Sequence, residues 1–262
     1  MSCLVEQAKI LWAEAEENNL ADKVKNQRLA RWYVCSLCEQ RYHGVVRCAL
    51  GWACWKTYLG RPETDQVRCL AMNLLGLGLT DANDHEAALS VREAELSTVM
   101  RLGAPEEQIL TVKGNLAMSY GKLGRFDESL SLRQDVYSGD LKRYGEEHVE
   151  TLVGANNYAW GLCHLARFEE AKALTRKVIP TARRVLGENN ETALRLRWAH
   201  GEALYNADGA TLNDLREAVT TLEDTGRIAR RVLGSAYPLT KMIEGGLQDA
   251  RDALRAREAT SK

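Results

Sequence analysis

The chain has 262 residues, 45% of them hydrophobic, which is enough to bury a substantial core. Its 35 lysines and arginines are balanced by 36 aspartates and glutamates, and the net charge of −1 argues against a nucleic-acid surface, which usually shows as a basic excess. Seven cysteines, an odd number, follow a start that is acidic and amphipathic rather than basic and then apolar, so reduced thiols and a soluble cytoplasmic protein are expected, with the nucleus also open to it.

Residues 1–60 read as an N-terminal helical segment with a degenerate repeat. Within it Cys35, Cys38, His43 and Cys48 are spaced C-x2-C-x4-H-x4-C, the spacing of a zinc knuckle, in which three thiolates and an imidazole surround the metal tetrahedrally. A knuckle also needs glycines to turn its backbone, and Glu39 and Tyr42 stand where these lie; Gly44 comes only after the histidine. The competing reading makes Leu29 to Leu37 one helix and Tyr42 to Tyr58 the next, with Val45, Val46, Ala49, Leu50, Trp52 and Ala53 as a buried face and cysteine acting as a small hydrophobe. That structural reading is preferred, so no metal and no cofactor are expected; the knuckle would instead make the protein a nucleic-acid-linked adaptor. A MYND-type finger would require a second C-x2-C pair, which is missing. The apolar run from Gly44 to Trp55 contains Arg47 and falls short of the roughly 20 residues of a membrane span.

Beyond this segment the chain repeats. Gly60, Gly103, Gly145 and Gly187 are separated by 43, 42 and 42 residues, and Gly234 follows after 47. A fixed period of this length signals stacked supersecondary units. Aligned on the glycines, one column is small (Gly76, Ala117, Ala159, Gly201), the next large (Leu79, Tyr120, Leu162, Leu204) and a third small again (Ala88, Ser129, Ala171, Ala218). Small residues at fixed places let two helices approach closely, and large ones fill the space between them. In the second unit Leu116, Tyr120, Leu123, Phe126, Leu130 and Leu132 follow helical spacing, broken at Leu123-Gly124-Arg125, where Gly124 can end one helix and Asp127 begin the next; Asp84 does the same in the first unit. Each unit is thus helix A, turn, helix B and a closing glycine. Four repeats are expected at 61–103, 104–145, 146–187 and 188–234, followed by a capping helix from Pro238 to Glu258 within 235–262. Only four prolines appear and no run alternates apolar and polar residues, so strands are not expected.

The small-large-small columns, "RFDES" (Arg125 to Ser129) and "RFEEA" (Arg167 to Ala171) resemble the tetratricopeptide repeat, in the 42-residue form of kinesin light chains. The linker after the glycine supports this: "YGEEHVETL" keeps His148 and Thr151 of the kinesin-light-chain pattern but has Val149 for proline, and "LGSAYPLT" keeps Pro238 and Thr240 but has Tyr237 for histidine. The resemblance covers about residues 60 to 240 and implies a right-handed α-solenoid whose A helices line a concave groove for a protein or peptide. Kinesin light chains join their motor through a long heptad coiled coil, which residues 1–34 are too short and irregular to supply, so a motor heavy chain is not implied as partner.

No enzymatic constellation is found. Gly76-Leu77-Gly78 lacks the third glycine of a dinucleotide loop, and Cys163 and His164 are helix neighbours that cannot face each other. What remains is the projected A-helix face: Asn73, Asn115, Met118, Lys122, Asn157, Trp160, His164, Arg195, Trp198 and Tyr205. By resemblance, Asn115 and Asn157 match asparagines that hold the backbone of an extended peptide, a task suited to a group with both donor and acceptor. Trp160 and Trp198 would anchor the ligand or pack between helices. The expected function is a non-catalytic interaction scaffold for a protein or peptide, with no membrane and no nucleic-acid partner.

Overall fold

The computed structural model describes residues 2–260, and every regular element among them is helical. In order these are α1 (Ser2–Glu17), α2 (Asp22–Leu29), a 3-10 turn (Ala30–Trp32), α3 (Gly44–Tyr58), α4 (Gln66–Asp81), α5 (His85–Arg101), α6 (Glu106–Lys122), α7 (Phe126–Tyr144), α8 (Val149–His164), α9 (Phe168–Leu186), α10 (Glu191–Asn206), α11 (Leu212–Leu233) and α12 (Pro238–Thr260). They fall into two compact units that meet in sequence between Arg125 and Phe126. Inside each unit consecutive helices pack on one another, the arrangement of an α-solenoid.

The first unit is built on the seam between α3 and α4, which pass so closely that glycine is required on both sides. A Cβ at Gly51 would lie 2.7 Å from the Leu74 carbonyl oxygen, and one at Gly78 would lie 2.7 Å from the Cys48 Cα. Around the seam Trp12, Trp32, Cys54, Tyr58, Val67, Ala71 and Leu74 are buried together, with Trp32 and Tyr58 edge to face at 5.8 Å. Asp65 caps α4 by accepting from the Val67 and Arg68 amides, and Asp84 caps α5 by accepting from Ala87.

In the second unit α8 also packs on α10, and α10 on α12, so successive A helices touch as well as successive neighbours. The small column is buried where it was expected, Ala171 and Ala218 both at 0% exposure. The repeat glycines end the B helices: Gly187 (φ 85°, ψ 156°) and Gly234 (φ 88°, ψ 159°) adopt a combination that only glycine takes without strain. Asn190 caps α10, and Thr211 with Asp214 forms a capping box on α11.

The N-terminal segment departs from expectation in two respects. Leu29 to Leu37 is not one helix: α2 stops at Leu29, and after the 3-10 turn the backbone doubles back with an antiparallel bridge between Val34 and Arg41. The face of α3 is also rotated. Val45 is 81% exposed and Trp52 42%, whereas Cys54 and Tyr58 are buried against α1, α4 and the 3-10 turn; Leu50 is buried as expected. α3 starts at Gly44, whose N–H donates to Asp81 Oδ2 of α4 at 3.2 Å, and it turns Gly51 onto α4. Accordingly Gly60 is not a left-handed stop like the later repeat glycines; α3 ends at Tyr58, with Leu59 still in helical conformation.

Candidate peptide-binding faces

On α8 three of the projected residues, Asn157, Trp160 and His164, lie three and four positions apart and so share one side of the helix. Asn157 and His164 are exposed and Trp160 is half-buried. The indole is held between two partners: the Arg133 guanidinium of α7 lies over its ring at 4.8 Å, and the His164 imidazole packs against it at 3.6 Å between centroids. His164 is fixed in turn by its Nδ1, 3.0 Å from the Trp160 carbonyl oxygen, and by Phe126 at 5.5 Å.

Arg133 was not legible as part of this face. Its Nη1 donates to the Asn157 carbonyl oxygen at 3.1 Å and its Nε to Ser129 Oγ at 3.0 Å, and no carboxylate pairs with it among the described residues. Burial alone pulls its pKa down to about 10, so it stays charged at neutral pH without a counter-ion. The signal for it lies in Gly161: a Cβ there would meet the Arg133 Cδ at 3.2 Å and Leu130 Cδ1 at 2.9 Å, so the glycine makes room for the arginine beside the tryptophan.

The projected residues on α10 are placed differently. Arg195 is tied along its own helix to Glu191, with Nη2 at 2.6 Å from Oε1. Trp198 and Tyr205 pack toward α12, where a Cβ at Gly246 would stand 3.4 Å from Trp198 Nε1 and 3.6 Å from the Tyr205 hydroxyl. Both also border the buried cluster of Leu194, Leu204 and Ile243. They bridge successive A helices rather than facing outward.

In the first unit Asn115, Met118 and Lys122 lie along one side of α6, the lysine exposed and the other two half-buried. Asn73 of α4 turns inward and donates to Glu95 Oε1 at 3.4 Å. In the small-column register the position on α4 matching Asn115 and Asn157 is Leu74, 5% exposed, and on α10 it is Ala199, 2% exposed. A cleft of about 690 Å³ separates α4 from α6, lined by Asn73, Leu70, Val99, Val112 and Gln108, with Glu95 at its floor. Glu95 is itself buried in an ion pair with Arg92, 2.6 Å apart, and the Arg92 guanidinium lies on Gly76.

Chemistry-bearing clusters elsewhere are structural in form. Thr175 Oγ1, His200 Nδ1 (2.9 Å) and then His200 Nε2 to Glu217 Oε1 (3.3 Å) have the order of a nucleophile, base and acid. Thr175 is 0% exposed and also bonds the Ala171 carbonyl at 2.6 Å, so no substrate can reach it. Cys163 is buried against the Ala199 carbonyl, its thiol pushed up to about 12 by burial, while neighbouring His164 is exposed on α8. The four residues with knuckle spacing are not brought together: Cys35 and Cys38 sit on the N-terminal turn, His43 stands exposed just ahead of α3, and Cys48 packs beside Leu75, Leu79 and Ala88. Among the described residues no group of three or more His, Cys, Asp or Glu is placed to hold a metal, and no helix is long and apolar enough to cross a membrane.

Residues 108–184 match the tetratricopeptide repeat family model. No curated protein matches the chain. Among solved structures, the Podosopora anserina putative kinesin light chain with nearly identical TPR-like repeats is similar at 18% identity, over 88% of this chain and 97% of that one, with a TM-score of 0.59. BtubC (BKLC) from P. vanneervenii aligns at 15% identity over 81% and 91%, TM-score 0.54. A Rap protein complexed with competence and sporulation factor aligns at 16% identity over 80% of this chain and 60% of that one, TM-score 0.53. At such identities the likeness to these structures is one of fold. The family match places tetratricopeptide repeats at residues 108–184, and the chain shares the α-solenoid fold of these structures.

Proposed function

We propose that the protein is a non-catalytic scaffold that binds extended peptide segments through the outward faces of its A helices, α8 in the second unit and α6 in the first. The observation that carries this reading is the Trp160 cluster on α8. A tryptophan pre-set between Arg133 and His164, beside the exposed carboxamide of Asn157, combines a rigid aromatic anchor with a donor and acceptor for a peptide unit. Arg133, without a carboxylate of its own, favours an acidic group in the segment bound there. The Rap structure of similar fold is a complex with a factor, in keeping with a binding role.

The test uses a displayed peptide library to select a ligand, then measures its affinity by fluorescence anisotropy for Asn157→Ala and Asn115→Ala, singly and together. Each lost hydrogen bond should weaken binding by about 0.5–1.5 kcal/mol, while the free protein keeps its stability within about 0.5 kcal/mol, as for ordinary surface changes. Earlier melting of the free variants, with unchanged affinity, would mark these asparagines as architectural and remove the proposed site.

A further inference from the structure

The turn between Val34 and Tyr42 lies outside the faces described above. It is closed by the Cys35 N–H to the Gln40 carbonyl at 2.9 Å, the Glu39 N–H to the Cys35 carbonyl at 3.1 Å and the Tyr42 N–H to the Tyr33 carbonyl at 3.0 Å. Glu39 takes φ 57°, left-handed backbone that a non-glycine residue keeps only where surrounding bonds impose it. At the tip Leu37 is 92% exposed and Cys38 is exposed, so solutes reach the turn freely.

The tight turn aims a backbone donor at one sulfur. The Leu37 N–H donates to Cys35 Sγ at 3.5 Å, and Cys38 and Tyr42 are the other neighbours that act on this thiol. An N–H donor aimed at sulfur, in a Cys-x-x-Cys turn, stabilises the thiolate. Led by the Cys38 amide, these bonds hold the Cys35 thiol below the ordinary thiol value, whereas burial pushes Cys48, Cys54, Cys69 and Cys163 above it. Cys48 packs on α3 beside Leu75, Leu79 and Ala88, so the turn offers the two thiols of Cys35 and Cys38.

We propose that Cys35 and Cys38 form a reactive dithiol that exchanges with low-molecular-weight disulfides of the glutathione class. The Cys35 thiolate attacks one sulfur of the disulfide; a Cys35–glutathione bond forms, the original S–S bond breaks and one glutathione leaves as thiolate. Cys38 then loses its proton and attacks the Cys35 sulfur, forming the Cys35–Cys38 disulfide and expelling the second glutathione. The two protein thiols are oxidised and one glutathione disulfide is reduced to two thiols, so electrons and atoms balance.

The test exposes the reduced full chain to glutathione disulfide, quenches with iodoacetamide at intervals, and maps modified cysteines by peptide mass spectrometry. Wild type should lose two hydrogens as a Cys35–Cys38 bond and retain no glutathione. Cys38→Ser should stop with one glutathione on Cys35, and Cys35→Ser should form neither product on this turn. Cys35 should react measurably faster than the exposed Cys3, because a gain in thiolate outweighs the accompanying loss of intrinsic nucleophilicity. Equal rates at Cys35 and Cys3, glutathione that stays on Cys35 in wild type, or an equivalent of zinc on these thiols in protein purified without added metal would each overturn the proposal.

Discussion

Replacing a helical glycine by alanine should have opposite signs at two places in this fold. At Gly245, inside α12, an added Cβ meets nothing within 4 Å, so alanine gains helix propensity without steric cost. The expected change is about 0.5–1 kcal/mol of added stability. At Gly78 the same Cβ falls 2.7 Å from the Cys48 Cα, 3.0 Å from the Arg47 carbonyl oxygen and 3.1 Å from the Cys48 nitrogen. These are backbone atoms, which cannot rotate aside. Comfortable carbon contacts lie near about 3.5–4.0 Å, so α3 must retreat by about 0.8 Å or more, and a gap of that size forfeits about a quarter to a half of the dispersion along the seam. Overpacking costs about 1–3 kcal/mol; taking the upper half because the neighbours are rigid, and subtracting about 1 kcal/mol for propensity, leaves a net loss of about 1–2 kcal/mol. For a chain of this size that lowers the melting temperature by roughly 5 °C, while Gly245→Ala raises it by roughly 2 °C. Thermal melts followed by far-ultraviolet circular dichroism read both. A Gly78→Ala protein as stable as wild type would mean that α3 and α4 do not cross where the structure puts them.

Three further substitutions test the second unit. Burial holds the His200 imidazole below its ordinary value despite the opposing pull of Glu217, with Lys172 and Arg176 adding to the depression. Folding therefore disfavours its proton and the unfolded chain binds more; stability is full above about pH 6.5 and falls as pH drops below it. His200→Gln should flatten that loss in denaturant titrations across this range, and an unchanged difference from wild type at every pH would exclude His200 as its source. Trp198→Ala, which empties the space against Gly246, should cost about 2 kcal/mol or more in the free protein. Trp160→Ala should cost about 1 kcal/mol or less, mostly its contact with Arg133, yet abolish capture of the selected peptide; the reverse pattern would exchange the roles of the two tryptophans.

The repeat was readable because it is written in volumes. Ala88, Ser129, Ala171 and Ala218 recur where B helices come closest to their neighbours, and each is 1% exposed or less. The caps were readable for the same local reason: Asp84 stands one residue ahead of its helix and accepts an amide within it. The N-terminal turn was not. Leu29, Trp32, Tyr33 and Leu37 are spaced as for a helix, but only Trp32 is buried, and the bonds that reverse the chain run from Cys35 and Tyr42 to backbone carbonyls that no side-chain pattern reveals. The register of Asn73 was obscured by the first glycine interval of 43 residues, because one extra residue turns a helical position by about 100°, enough to carry a side chain from an open face to a packed one.

The same limit applies to the face itself. Sequence shows which residues share a side of a helix, but the neighbouring helix decides whether that side is open. Trp160 and Trp198 look alike as large aromatics on consecutive A helices. Behind Trp198 the next A helix offers Gly246, whose missing side chain admits the indole. Beside Trp160 the missing side chain is that of Gly161 on its own helix, and the space it leaves is taken by Arg133 from the preceding B helix. One glycine draws its tryptophan into the stack; the other lets an arginine support its tryptophan at the surface. The pattern of tryptophans alone does not distinguish these outcomes, whereas the placement of two glycines does, and it is this difference that leaves the α8 indole at the surface and packs the α10 indole into the stack.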